Sequence, residues 1–313
     1  MDRGAGPRYV AAMNPSTRPE DRDTTRGFLF ALTAYLMWGF LPLYMKALAH
    51  VSPQEVIAHR VIWSLPIALA IVASQGRLGM LLDVILTPWK LGLAAACAAL
   101  ISVNWGIYVW SIGSGHALDA ALGYYINPLF SIFLGAVLLG ERLSRAQLAA
   151  IGLAALAVAI LTWEAGKLPL AALGLTVTWG FYAYLKRRMP IGANEGFTLE
   201  VLILSPLALA YAIWLGQTGQ AVFLADPATT FLLLCAGLVT AVPLMIYANG
   251  AKGLRLSTIG IMQYIAPTMI MIFALAFFGE RFGLAQWIAF PLIWAALLIY
   301  TLPMLLRVSG RES

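Results

Sequence analysis

Apolar residues fill this chain in long blocks rather than in the narrow stripes of a soluble domain. About ten blocks approach the roughly 20 residues that a helix needs to cross about 30 Å of hydrocarbon. They run over 27–47, 54–74, 91–112, 118–139, 146–163, 168–185, 197–216, 229–249, 257–278 and 284–305. The polar stretches between them are short, the longest lying around 75–90, 186–196 and 217–228, so no soluble domain fits on either side. Residues 1–26 are polar, charged and without hydrophobic periodicity, which predicts a disordered tail, with a second short tail at 306–313. The first apolar block has no small-residue cleavage site behind it and is read as a span, not a signal peptide. The pattern therefore predicts an all-α integral membrane protein with ten transmembrane helices.

The blocks form two sets. Residues 118–161 and 257–300 align without a gap at an offset of 139 residues: Tyr125, Ile126, Pro128, Gly140, Glu141, Arg142, Ala146 and Gln147 recur as Tyr264, Ile265, Pro267, Gly279, Glu280, Arg281, Ala285 and Gln286. With a small drift in register, Trp38-Gly39-Phe40 returns as Trp179-Gly180-Phe181 and Pro66 as Pro206. The predicted units are a five-helix repeat at 27–163 and a second at 168–305. Five is odd, so the second repeat enters the membrane the opposite way up, and the pair forms a 5+5 inverted-topology repeat.

Charge gives an independent test. With the N-terminus in the cytoplasm, only Lys46, Arg60, Lys167 and Arg281 of the 20 Lys and Arg residues fall on the far side. That asymmetry obeys the positive-inside rule and puts both termini in the cytoplasm. The pI near 9.4 then reflects topology and calls for no nucleic-acid partner. Composition agrees: 61% hydrophobic and 11% charged residues, with a mean hydropathy of +0.83, leave too little polar surface to coat a soluble globule.

Catalytic chemistry finds little support. Cys97 and Cys235 lie among Ala and Leu as packing residues, at nearly equivalent repeat positions that inversion separates in depth. His50, His59 and His116 have no neighbour at metal-ligand spacing, and no nucleophile-elbow, Walker or zinc-protease pattern occurs. No metal, no cofactor and no enzymatic activity are expected.

Polar residues on the hydrophobic helices are the remaining candidates. Asn104, Tyr108 and Ser111 share one helical face, as do Tyr124, Asn127 and Ser131, and Thr240 with Tyr247 and Gln263 with Thr268 echo them in the second half. An unpartnered amide costs several kcal/mol in hydrocarbon. Such faces therefore turn to one another as interhelical glue or to a wetted cavity. Aromatic residues inside spans, Trp38, Trp105, Tyr108, Tyr124, Trp179, Tyr182, Tyr247 and Tyr264, suit core packing or a pocket for an amphipathic solute. The candidate substrate-binding set is Trp38, Asn104, Trp105, Tyr108, Tyr124, Asn127, Trp179, Tyr247, Gln263 and Tyr264.

Charges inside spans are rarer. Glu55, His59 and Arg60 begin the second span and Glu200 begins the seventh, and each requires a partner, a headgroup or an aqueous path. Arg60 and Glu200 align in the repeat, and inversion puts them at opposite depths. Arg60 is expected to pair with Glu55 or another outer carboxylate, and Glu200 with a cytoplasmic Lys or Arg. Glu55, His59, Arg60 and Glu200 are the candidate gating or coupling charges.

Several of these motifs resemble one family. His59-Arg60-Val61-Ile62-Trp63-Ser64, Asn104-Trp105, Leu122-Gly123-Tyr124-Tyr125-Ile126-Asn127-Pro128, Gly140-Glu141-Arg142, and Leu254-Arg255-Leu256-Ser257-Thr258-Ile259-Gly260 followed by Gln263-Tyr264-Ile265 are similar to those of RarD-type permeases in the EamA family of the drug/metabolite transporter superfamily. The resemblance covers 27–305 and implies a ten-helix permease of the bacterial inner membrane. The expected function is secondary transport of a small metabolite or drug-like solute by alternating access, with a channel or a lipid flippase or scramblase as alternatives. Both orientations are built into one chain, so a monomer is expected, with lipid and a small-molecule substrate as its partners. Glycine-rich turns at Gly113-Ser114-Gly115 and Gly250-Ala251-Lys252-Gly253, and mid-span Pro128, Pro243 and Pro267, are expected to let helices bend.

Overall fold

The computed structural model describes residues 24–139, 143–251, 254 and 262–309. Among these the chain forms eleven helices: α1 (Thr25–Ala47), α2 (Pro53–Ser74), α3 (Leu78–Leu86), α4 (Pro88–Gly113), α5 (Ala117–Leu139), α6 (Arg145–Ala165), α7 (Leu170–Arg188), α8 (Ala193–Gln217), α9 (Pro227–Ala251), α10 (Ile265–Ala276) and α11 (Leu284–Ser309). All but α3, α7 and α10 are long and apolar enough to cross a membrane. The protein is an all-α, multi-pass integral membrane protein.

The departures from the ten-block reading have local causes. Residues 75–90, expected as a loop, hold the nine-residue α3 and the start of α4, the two separated at Thr87 just before Pro88. Lys186, Arg187 and Arg188 end the 19-residue α7 and keep it outside the apolar set. In the ninth block, 257–278, α10 runs over Ile265–Ala276, separated by the turn at 263–264 from helical Met262, and Pro267 sits in the first turn of α10. A missing N–H costs little there, because the first turn has no intrahelical acceptor for it. Pro128 and Pro243 do lie inside α5 and α9. Gly250 belongs to α9, not to a turn. Gly140-Glu141-Arg142, Lys252, Gly253 and Arg255–Gly260 lie outside the described residues, as do 1–23 and 310–313.

Local chemistry marks the helix ends. Ser52 Oγ accepts from Glu55 N at 3.2 Å with Pro53 opening α2. Ser144 and Gln147 form a reciprocal capping box at α6, whose far end is closed by Gly166 at φ +62°. Two caps cross between the halves. Both carboxylate oxygens of Glu280 accept from Ala117 and Leu118 N–H groups opening α5 (2.7 and 2.9 Å), and Glu164 Oε2 accepts from Ala285 N of α11 (2.9 Å). Glu280, read as part of a helix stop, thus also fastens the start of another helix.

Packing repeats when the halves are exchanged. Helices α2 and α8, α5 and α10, and α6 and α11 pair as equivalents, while α1 packs on α9 and α10 as α7 packs on α4 and α5. Single residues repeat it too. Gly39 of α1 leaves room for Met269 of α10, and Gly180 of α7 leaves room for Phe130 of α5, with Phe130 and Met269 again 139 apart. Lipid tails are as apolar as Leu, so tight approach of small residues, not exclusion from water, holds such helices together. At Gly123 the neighbour is backbone: a Cβ there would lie 2.8 Å from the Ala172 carbonyl oxygen, and Thr176 Oγ1 donates to Gly123 O at 3.0 Å. The outer faces stay apolar, with Trp163, Leu207 and Phe231 exposed.

Candidate functional site

Arg60, about two turns into α2, is only 4% exposed. Its Nε donates to Thr240 Oγ1 of α9 at 3.0 Å, and its guanidinium carbon lies 4.5 Å from the ring centroid of Trp105 on α4. Its Nη1 is buried without a hydrogen-bond partner, and no carboxylate forms an ion pair with it among the described residues. Three phenols lie within electrostatic reach of it: Tyr108 of α4, Tyr124 of α5 and Tyr44 of α1. The rings of Tyr108 and Tyr124 are 5.8 Å apart, and the buried Tyr108 hydroxyl has no partner either. Tyr44 donates to Leu232 O. Helices from both halves therefore meet around one uncompensated cation.

The expected pairing of Arg60 with Glu55 does not form. Glu55 is buried at the start of α2, and its Oε1 accepts from the Val222 and Phe223 N–H groups (2.9 and 3.0 Å), tying the loop before α9 to the bundle. His59, one turn on, packs against Phe223 with centroids 4.5 Å apart, and its Nδ1 accepts from Trp63 Nε1 at 3.0 Å. Both side chains hold a loop and its packing, whereas Arg60 alone of the three lacks a matching partner.

Glu200, the repeat equivalent of Arg60, has the reverse environment. It is fully buried in α8, and it pairs with Lys186 and accepts from Tyr182 Oη at 3.1 Å, both on α7. The sequence expected a Lys or Arg as the partner of Glu200, and Lys186 is that cation. Nearby, Arg77 Nη1 meets Glu195 Oε1 at 2.8 Å, an ion pair the polar pattern did not disclose.

The polar stripes separate. Asn104 Nδ2 donates to Leu175 O and Thr178 Oγ1 of α7 (3.0 and 2.8 Å), leaving Oδ1 unpaired. Ser111 and Ser131 bond back to their own helices, and Asn127 is buried with an unpaired Oδ1. Gln263 lies in the turn between helical Met262 and α10, next to Tyr264. Trp38 and Tyr247 join Tyr35 in an edge-packed trio with centroids 5.4–5.5 Å apart, and Trp179 packs on Tyr182 at 5.7 Å. Of the candidate binding residues, only Trp105, Tyr108 and Tyr124 gather at Arg60; Thr240 and Tyr44 join them. Thr240 was visible as the echo of a stripe, and Tyr44 had no signal beyond a hydroxyl in an apolar block.

The profile of the EamA-like transporter family matches this chain twice, over residues 25–163 and 167–302. An uncharacterized transporter of Vibrio cholerae serotype O1 is 40% identical over 90% of this chain and 94% of its own length. Proteins named RarD from Streptomyces exfoliatus and Escherichia coli K12 are 40% and 37% identical over 90% of this chain, with 90% and 95% of their own lengths covered. One solved crystal structure, 21% identical, superposes with a TM-score of 0.59 over 90% of this chain and 97% of that one, a likeness of fold.

Proposed function

From the membership of this chain in the EamA-like transporter family, among its RarD-type permeases, we propose that it is a secondary transporter that moves a small metabolite or drug-like solute across the bacterial inner membrane by alternating access. In this reading residues 27–163 and 168–305 are the two five-helix repeats, inverted relative to each other, with both termini in the cytoplasm. The observation that carries it is the packing that survives exchange of the halves around a polar cluster drawn from both. Equivalent helices pairing across the centre can rock as two bodies, opening the cluster first to one side and then to the other. The chain works as a monomer, since each half supplies the other's partner.

Two experiments test this. Alkaline phosphatase fused after Ser313 is expected to be inactive, and fused within 217–228 active; the reverse overturns the topology. Purified protein screened by thermal shift against metabolites yields candidate solutes for counterflow in proteoliposomes. Saturable exchange supports a carrier, whereas flux that neither saturates nor exchanges identifies a channel.

A further inference from the structure

We propose that Arg60 is the anchor for an anionic group on the transported solute, a carboxylate monoanion, held between the guanidinium and the hydroxyls of Tyr108 and Tyr124. The inference deepens the transport reading and rests on it.

A buried cation is costly, and inside a membrane it takes a partner or faces an aqueous path. Arg60 has a partial solution only. Thr240 takes one N–H and the face of Trp105 takes part of the charge, but a hydroxyl and a ring face leave a full positive charge formally unopposed. The buried carboxylates Glu55 and Glu200 are committed elsewhere: Glu55 to the Val222 and Phe223 N–H groups, and Glu200 to Lys186 and Tyr182. What remains around Arg60 is a set of donors. Nη1 has no acceptor, and the Tyr108 hydroxyl, also buried without a partner, can donate alongside it. One unused guanidinium N–H and one unused hydroxyl near it call for an acceptor with two oxygens, as a carboxylate has. One net charge in the cluster matches a monoanion better than a phosphate dianion. The fixed Nε–Thr240 bond and the Trp105 stack keep the guanidinium from turning away, so the recognition geometry exists before the solute arrives.

The test uses the full chain in lipid nanodiscs and three acids paired with their neutral amides: acetate with acetamide, benzoate with benzamide, and phenylacetate with phenylacetamide. Binding is read as a saturable change in tryptophan fluorescence, with Trp105 adjacent to the site, and as a rise in melting temperature. At least one carboxylate is expected to bind at least about tenfold more tightly than its amide, the scale of one charge-assisted contact. Arg60→Gln is expected to abolish that preference, and Arg60→Lys to retain it with weaker binding. Modification of Arg60 by phenylglyoxal, located by peptide mass spectrometry, is expected to slow when the same carboxylate is present, which needs no variant to fold. Equal binding of acid and amide, silence from all three acids, or a preference that survives Arg60→Gln overturns the proposal. The transport reading fails separately: a carboxylate that binds through Arg60 yet shows no counterflow would leave the anion site and remove the carrier, whereas counterflow of a neutral solute without carboxylate binding would do the opposite.

Discussion

Tyr125 and Tyr264, equivalent positions of the two halves, stack on each other with ring centroids 6.3 Å apart and planes inclined by 23°. Two equivalent residues that touch must lie beside the pseudo-symmetry axis. Tyr125 Oη also sits 2.6 Å from Thr268 Oγ1, one turn along α10, so the contact joins the halves by a ring and by a hydrogen bond. Tyr125→Phe removes only the bond and is expected to cost about 0.6 kcal/mol, the average for interhelical hydrogen bonds in membranes. Tyr125→Ala also removes the ring and is expected to cost about 3 kcal/mol. Melting in detergent should rank wild type, Tyr125→Phe and Tyr125→Ala in that order. Equal losses would mean that the hydroxyl, not the ring, joins the halves.

The repeat was legible in sequence because equivalent contacts were written with the same letters, Tyr125 with Tyr264 and Pro128 with Pro267. The oddity of Arg60 was legible too, since a charge in an apolar block announces itself. Its surroundings were only partly so. Glu55 looked like its natural partner, one and a half turns away, but took instead two backbone N–H groups from residues 222 and 223. Backbone donors carry no letter, and the same blindness hid the cap that Glu280 places on α5. The turn at Gln263 and Tyr264 was hidden because nothing in the pattern marks where α10 begins, and its N-cap, Tyr264, makes no capping side-chain bond.

Gly237 of α9 lies against the backbone of Trp63 on α2, where a Cβ would overlap the Trp63 carbonyl group, and Ser64 Oγ donates to Gly237 O at 3.3 Å. This close approach brings Thr240, one turn along α9, within reach of Arg60. Backbone cannot yield as a side-chain tip can, so Gly237→Val must push the two helices apart. The expected cost is at the upper end of the range of about 1–3 kcal/mol for overpacking, together with loss of solute exchange. Gly216→Val, with open space around it, serves as the control and should retain exchange. Exchange that survives Gly237→Val would mean that the α2–α9 contact does not position the cluster.

Lys186 and Glu200 should behave as a unit. The Glu200 side chain is fully buried, while that of Lys186 is 21% exposed, so the lysine can return to solvent and the carboxylate cannot. Removing one partner of a buried pair costs about 3–5 kcal/mol, and replacing both with neutral groups costs much less. Lys186→Met is therefore expected to reduce folded yield sharply in fluorescence-detected size exclusion, and Lys186→Met with Glu200→Gln to recover most of it. The partial solvation of Lys186 puts the loss at the lower end. A double variant no better than Lys186→Met would show that the two side chains do not compensate each other.

Accessibility separates a solute path from interhelical glue. Asn104 spends its amide N–H groups on α7, while the Tyr108 hydroxyl near Arg60 is buried without a partner and the Tyr124 ring packs on that of Tyr108. Cysteines at 108 and 124, in a chain carrying Cys97→Ala and Cys235→Ala, are expected to react over minutes with a small water-soluble thiol reagent applied to either membrane face, because each opening wets the cluster in turn. A cysteine at 104 is expected to react slowly, held in the α4–α7 contact. One at Val103, 53% exposed on the outer face, is expected to stay silent in lipid. Leu122 makes a poor lipid-facing control, being buried inside the bundle. Labelling from one face only would fit a cleft that never alternates. Reaction at 104 with silence at 108 and 124 would move the wetted path to the α4–α7 seam and leave Arg60 as a structural pillar.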